Sequence, residues 1–392
     1  MLRVGVVYKT SGPGLSMDYR IIREVLSAQC IVQEELVSSA DWVHVLTPAA
    51  LWRFRYLIYT ILSHFYRFFN RFKNKNCDVA IYLESYRPWY AGLARYNVLI
   101  PNQEWFSKDL IGGLHSFDAV WCKTRAAEAI FKKLHHRVIY IGFSAIVNDP
   151  AGAREISIEA APNSGQNLIK NQLRHKVKSQ IKGSGTGDLF ILHRAGNSLL
   201  RGTGVLLKTW AAHPEWPMLS VMVSRRLKSS VCEKAFVNGE NGIPNNITFL
   251  QGCWNDEEFA TLMRSADVHI HPTETEGYGL TLSEALGYGC LVMATDAEPM
   301  NELVSSERGI LFACTYKGKY NLGNLYRVSP ESIVRAVEVM QAITSVRQDQ
   351  LRKNARLWFL GNRREFEERL IQQVEEISLN LAKNRGVASD EQ

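Results

Sequence analysis

The chain of 392 residues contains no Cys-x-x-Cys pair and no cysteine–histidine spacing suited to a metal. Cys30, Cys77, Cys122, Cys232, Cys253, Cys290 and Cys314 stand far apart, which argues against structural zinc and reads as ordinary thiols in a reducing compartment. No clean membrane span is present, because the aromatic-rich residues 51–69 are interrupted by Arg53, Arg55, His64 and Arg67. The opening MLRVGVVYKTSGPG lacks the long apolar region and small-residue cleavage site of a secretion signal. No internal period of roughly 20 to 50 residues recurs. A net charge of +7, from 46 Lys plus Arg against 39 Asp plus Glu, admits an acidic ligand or surface, but no nucleic-acid recognition motif organises it.

What is present is an apolar fraction of 46% in a chain too long for one ordinary domain, so two domains with real cores are expected. Short apolar runs alternate with helix-compatible segments: RVGVV, DWVHVL, CDVAIYL, NVLIP, DAVWC and RVIYIG in the first half, then DLFILHRAG, MLSVMVS, NITFLQG, ADVHIHP, CLVMATD and GILFAC. Continuous apolar runs of this kind are strands of a parallel sheet buried on both faces, so the class is α/β with two Rossmann-like units. Pro, Gly and Ser clusters at 149–187 surround a basic stretch that reads as a solvated helix in a linker. The expected division is a first domain at 1–170, a linker at 171–187, a second domain at 188–355, and C-terminal helices at 356–392 that pack back toward the first domain. In those helices Phe366, Leu370, Val374, Ile377 and Leu381 form one apolar stripe.

The candidate site is HPTETEGYGLTLSEALGYG, residues 271–289. A strand ending at Pro272 and a helix starting near Gly279 would present unpaired backbone N–H groups at the carboxyl edge of a sheet, a place suited to phosphate. Gly277 and Gly279 permit close backbone approach, and Thr281 adds a hydroxyl. Glu276 and Glu284, eight residues apart, suit the hydroxyls of a sugar and of a ribose; the same pair also suits a solvated helix start. Upstream, Arg201 is placed to hold a diphosphate, whereas Arg194 reads as solvent-facing.

The stretch ETEGYGLTLSEALGYGCLVMATDAEPMNELV resembles the donor-binding signature of retaining GT-B glycosyltransferases, the large group with two glutamates separated by seven residues. The resemblance covers the second domain and is faint in the first. It implies a GT-B fold, two Rossmann-like domains facing across a cleft, and transfer of a sugar from a nucleotide-diphosphate sugar to a hydroxyl of a glycan, glycolipid or small molecule. Glu276 then lies near the donor sugar and reacting centre, Glu284 binds the ribose, and Gly277, Tyr278, Gly279, Leu280 and Thr281 flank the diphosphate. Glu302 resembles a further donor-side glutamate, with capping of its own short helix as the alternative. The group's Gly-Arg…Lys-Gly clamp is altered, because Arg201 stands at the lysine and Gly196 at the arginine; Arg194, Arg225 or Arg226 are candidates to compensate. No Asp-x-Asp pair is present, so no metal and no cofactor are expected. The alternatives are a donor-binding protein of polysaccharide assembly without catalysis, and a nucleotide-sugar epimerase.

The first domain is expected to face the acceptor. Gly12 and Gly14 lie on a turn after the first strand that can admit a substrate closely and are candidates for donor binding; ESYRPWY and NQEWF mix aromatic surfaces with polar groups, which suits stacking on a sugar, with core packing as an equal account of Trp89 and Trp105. Residues 51–75 combine large apolar side chains with a basic rim, a candidate for peripheral contact with a membrane and a lipid-linked acceptor. The expected location is cytoplasmic, with the inner face of a membrane as the variant of that reading.

Overall fold

The computed structural model describes residues 1–9, 13–37, 52–71, 77–147, 189–250 and 256–389. The expected linker at 171–187, DWVHVL at 41–46 and Gly12 lie outside them. Six parallel strands build the first sheet: β1 (Leu2–Lys9), β2 (Cys30–Val37), β3 (Val79–Glu84), β4 (Tyr96–Pro101), β5 (Ala119–Cys122) and β6 (Val138–Tyr140), in the order β2-β1-β3-β4-β5-β6. Val4–Tyr8 and Val79–Leu83 are buried without interruption, as strands sandwiched between helices must be. β2 is an edge strand, and it escaped the sequence reading because IVQEEL is mostly exposed and interrupts its apolar residues with Gln33, Glu34 and Glu35.

The second sheet is also parallel. It contains β7 (Ile191–Gly196), β8 (Leu219–Val223), β9 (Ile247–Phe249), β10 (Val268–His271), β11 (Leu291–Thr295) and β12 (Ile310–Phe312), ordered β12-β11-β10-β7-β8-β9. All six apolar runs of the second half became these strands. Each sheet reverses its strand order once, between β1 and β3 in the first and between β7 and β10 in the second. In open α/β sheets the crevice beyond the carboxyl ends at such a reversal is where ligands bind. The crevice of the first sheet is marked by Lys9 and Glu84, that of the second by Gly196 and the loop after His271.

Helices α1 (Pro13–Leu26), α2 (Trp52–Arg71) and α3 (Arg125–Phe131) belong to the first unit. The second holds α4 (Thr203–Ala211), α5 (Arg225–Ala235), α6 (Asp256–Ser265), α7 (Leu280–Gly287), α8 (Met300–Leu303) and α9 (Pro330–Ala342). Ser329 caps α9 by accepting from the Ser332 N–H, and Pro330 occupies its first turn. One long helix, α10, then runs from Ser345 to Ser389. Its buried Phe359, Phe366, Leu370, Val374 and Ile377 join a single apolar cluster with Val4, Ile22 and Phe143 on one side and Leu282, Leu286 and Met300 on the other. Fully burying each such side chain contributes about 1.5–3 kcal/mol. Asn362 donates to the Phe143 carbonyl at 2.8 Å and Arg363 to the Ala145 carbonyl at 2.9 Å, so the same helix grips the chain where it leaves the first sheet.

Like β2, a hairpin in the second unit was not anticipated. Strands β13 (Cys314–Tyr320) and β14 (Gly323–Val328) form an antiparallel hairpin that projects from the second unit onto the first.

Candidate functional site

Between the two crevices lies a cavity of about 690 Å³. Lys9, Gly14, Glu84 and Trp105 line it from the first unit; Arg194, Arg201, Arg225, Lys228, Leu280 and Thr281 line it from the second. The second wall is thus dominated by cations and by a helix start.

The loop from Pro272 to Gly279 is fixed from several directions. Thr295 donates its hydroxyl to the Thr273 carbonyl at 2.7 Å, and the Tyr326 N–H donates to the Glu274 carbonyl at 2.9 Å. Gln103, from the opposite unit, donates to the Glu276 carbonyl at 2.7 Å. A β-carbon at Gly277 would lie 2.7 Å from the Asn102 side chain, so only glycine allows the two units this approach. Helix α7 then opens at Gly279, which has no side chain to cap it, and the first-turn N–H groups are left for a ligand.

Two ion pairs span this wall. Arg201 pairs with Glu276, and Arg194 with Glu284. The carboxylates are buried while both guanidinium groups stay about a quarter exposed and reach the cavity. Arg201 sits in a short turn ending at Gly202, whose φ of +68° and contact with the Pro272 carbonyl leave no room for a larger residue. Burial, reinforced by the Arg194 charge, pushes Arg201 down to about 10; it stays charged at neutral pH. Behind the pairs, His193 bonds the Ile270 carbonyl at 2.7 Å and Thr203 Oγ1 at 2.9 Å. Burial pushes it down to about 4, so it is a neutral brace for the Arg201 turn. Among the described residues no cluster of three His, Cys, Asp or Glu side chains is arranged to hold a metal.

Residues 238–320 match the model of the family Glycosyl transferases group 1. No curated protein sequence matches the chain. Among solved structures, HepE of Anabaena in complex with UDP-glucose superposes with a TM-score of 0.63 at 14% identity, covering 96% of this chain and 100% of that one. Sucrose-phosphate synthase of Thermosynechococcus elongatus gives 0.64 at 14% identity, covering 98% and 100%. A glycosyltransferase of Rickettsia africae gives 0.61 at 14%, covering 96% and 98%. The chain has the two-domain GT-B fold of these structures.

Within this fold the sequence-derived residues divide into three groups. Arg201, Glu276, Gly277, Gly279, Leu280, Thr281 and Glu284 come together at the second wall, and Gly14 faces them at the start of α1. Tyr278 contributes backbone only, since its ring is buried and its hydroxyl donates to the Phe143 carbonyl at 2.6 Å. Glu302 departs from the donor side altogether: its carboxylate accepts from the N–H groups of Arg125 and Ala126 at 2.7 and 2.8 Å. It caps α3 of the other unit, because two unpaired helix N–H groups outcompete a place in the cavity. Nor does it cap its own helix.

Arg194 is likewise not solvent-facing. Pairing with Glu284 and stacking on Phe259 at 4.7 Å draw it to the cavity wall. With Arg225 and Lys228 it supplies positive charge that Gly196 does not. On the first wall, sequence reasoning missed Lys9 and Glu84, paired at 3.0 Å, the buried pair Lys123–Asp18, and Glu104. Glu84 and Glu104 lie inside ESYRPWY and NQEWF, the stretches whose aromatic and polar groups already suited a sugar; for Lys9, Asp18 and Lys123 the only signal was position, at or near the carboxyl end of a strand or on α1.

Proposed function

We propose that this chain is a glycosyltransferase that moves a sugar from a nucleotide-diphosphate sugar to a hydroxyl of a glycan, glycolipid or small molecule, with retention of anomeric configuration and without a metal. The observation that carries the reading is the pair of Arg–Glu contacts at the mouth of an uncapped helix. A diphosphate competes for the guanidinium groups and the first-turn N–H groups of α7, and charge-assisted bonds of this kind are the strong ones. Glu276 and Glu284 are then released to accept from hydroxyls, the first from the donor sugar and the second from the ribose.

During transfer the bond from the anomeric carbon to the diphosphate oxygen breaks and a bond to the acceptor oxygen forms. The acceptor proton passes to a departing phosphate oxygen on the same face. Arg201 and the α7 start stabilise the charge that grows on the diphosphate, which is the largest contribution such a site can make. Because those donors belong to the folded site, little reorganisation is needed as the charge develops. Incubation with UDP-, GDP- and ADP-sugars and an acceptor panel, followed by mass and anomeric NMR analysis, is expected to give a new glycosidic bond of retained configuration. An inverted product overturns the mechanism. Sugar interconversion without transfer favours an epimerase, and donor binding without nucleoside diphosphate release favours an inactive assembly protein.

The acceptor is proposed to be lipid-linked on the strength of α2. Phe54, Leu57, Ile61, Phe65 and Phe68 form an exposed apolar stripe at three- and four-residue spacing, each about half exposed, and residues 42–77 contain no Asp or Glu. The basic rim is thinner than the sequence suggests, because Arg55 and Arg67 turn inward to Asp109 and Asp118 at 3.3 and 2.9 Å. No described helix is long and apolar enough to cross a membrane. The stripe is suited to lying in an interface. Flotation with vesicles of anionic phospholipid is expected for the wild type and lost in Phe65→Asp; equal flotation of both rejects the contact.

A further inference from the structure

The loop that carries Glu276 is anchored from both units, and the anchor that falls on Glu276 itself comes from across the cleft. Within the second unit, the Thr273 carbonyl accepts from the Thr295 hydroxyl at 2.7 Å and the Glu274 carbonyl from the Tyr326 N–H at 2.9 Å. The Glu276 carbonyl accepts instead from Gln103 Nε2 of the first unit, at 2.7 Å and 173 residues away in sequence. Gln103 is 2% exposed and is not part of the cavity lining, so it touches no donor. A glutamine side chain is among the more costly to order on burial, yet this one commits its amide to a single backbone oxygen of the other unit.

That bond fixes the plane of the peptide between Glu276 and Gly277. The carbonyl and the N–H of one peptide unit point in opposite directions, so with the carbonyl drawn toward the first unit the Gly277 N–H is turned away from it. Glycine leaves its backbone dihedrals unrestricted, and the plane therefore has to be set from outside. Glu276 sits on the other end of the same peptide, and its carboxylate pairs with Arg201, which lines the cavity. Gln103 thus reaches the cavity through Glu276 and Arg201.

Gln103 is itself held by the β13–β14 hairpin. Its carbonyl accepts from the Leu322 N–H at 3.1 Å, and Asn321 Nδ2 donates to the neighbouring Glu104 carbonyl at 2.8 Å. Leu322 is buried in the apolar cluster that contains Phe106 and Leu110 of the first unit. A β-carbon on Gly323 would lie 3.3 Å from the Glu104 backbone, so the hairpin tip is pressed onto this loop. The body of the hairpin returns to the donor loop, where the Tyr326 N–H meets the Glu274 carbonyl and Lys317 pairs with the Glu274 carboxylate at 2.8 Å. The contacts close a circuit from Glu274 to Tyr326, along β14 to Leu322, across to Gln103 and back to Glu276. Gln103 is its one member from the first unit.

We infer that Gln103 is a positioning residue for Glu276, set in place by the tip of the β13–β14 hairpin, through which the first unit orders the sugar end of the donor wall without touching the donor. The inference rests on the transferase reading of that wall. Glu284 lies inside α7, where the helix fixes its backbone, so the ribose end does not depend on the bridge. Arg201 keeps its own turn at Gly202. Loss of the bridge therefore misdirects Glu276 while the nucleotide is still held, and a small displacement of a group at the reacting centre acts on turnover rather than on binding.

Two variants of the full chain test it. Gln103→Met keeps the length and bulk of the side chain but can donate nothing to the Glu276 carbonyl. Asn321→Gly keeps the left-handed turn at the hairpin tip, where Asn321 has a φ of +52°, and removes only the bond to the Glu104 carbonyl. Amide hydrogen exchange without ligand reads the loop directly. Release of nucleoside diphosphate from UDP-glucose, GDP-mannose and ADP-glucose in the presence of octyl glycosides reads kcat, and calorimetry with UDP, GDP and ADP reads nucleotide affinity. Gln103→Met is expected to speed exchange at 273–279 and not at 203–211, to lower kcat about tenfold, and to keep nucleotide affinity within about twofold. Asn321→Gly is expected to give the same pattern at smaller size. The positioning role is overturned if Gln103→Met exchanges at 273–279 as the wild type does, if its kcat is unchanged despite faster exchange, or if nucleotide affinity falls as far as kcat. Faster exchange of Asn321→Gly at 102–105 with none at 273–279 overturns the hairpin's part in it. A wild type that binds none of the nucleotides, while Gln103→Met still speeds exchange at 273–279, breaks the transferase reading and leaves the bridge standing.

Discussion

The two walls of the cleft stand at the same place in two sheets of the same plan, yet they are assembled differently. The donor-side wall draws Glu276, Gly277, Gly279, Thr281 and Glu284 from one stretch of nine residues, with Arg194 and Arg201 added from the end of β7 and the turn after it. The wall of the first unit collects Lys9, Asp18, Glu84, Glu104 and Lys123 from the ends of β1, β3, β4 and β5 and from α1. A ligand chemistry shared by many enzymes can be met by one contiguous loop and helix start. The wall of the first unit is set residue by residue instead, each from a different strand end or from α1.

The largest effect expected from breaking this comparison is on the contiguous wall. Arg201→Ala removes a preorganised cation and strands Glu276, so turnover is expected to fall about 10²–10³-fold, measured as kcat with saturating donor. Glu284→Ala removes an acceptor for the ribose and releases Arg194; hydrogen bonds to a charged group contribute about 1.5–3 kcal/mol, so donor affinity is expected to fall at least about tenfold with a smaller change in kcat. Equal losses of kcat and of affinity in both variants would mean that the two ion pairs act as one structural brace, and the division of labour along the donor wall would be lost.

The same comparison explains what could be read in advance. All six strands of the second sheet were legible, because each is a continuous apolar run bounded by turn residues, and the site loop was legible because its glycines, hydroxyls and glutamates are neighbours in sequence. Arg194 was misread since nothing local distinguishes a strand-end arginine in solvent from one drawn to a carboxylate 90 residues away. Glu302 was misplaced for the converse reason: its partners, the N–H groups of Arg125 and Ala126, belong to the other unit. The hairpin had a readable signal in Asn321-Leu322-Gly323 between β-prone stretches, but its role depends on what it touches. Glu104 lay inside NQEWF, a flagged stretch, but its burial is a property of the assembled junction and could not be read.

Glu84 offers the smallest and most selective way to sharpen the contrast. Its φ of +66° is left-handed, at the end of β3 and on the cavity wall, a conformation that costs a residue with a side chain about 1–2 kcal/mol and persists only where surrounding structure imposes it. Glu84→Gly and Glu84→Ala both delete the carboxylate and the pairing with Lys9, but only glycine relieves the backbone. The glycine variant is therefore expected to be the more stable of the two by about 1 kcal/mol, read as a higher denaturation midpoint at unchanged slope. If the carboxylate serves the wall of the first unit, both variants lose the same share of turnover despite their different stabilities. An alanine variant as stable as the glycine one would show that the left-handed turn is not imposed. A glycine variant with wild-type turnover would move the contribution of this position from its side chain to its backbone.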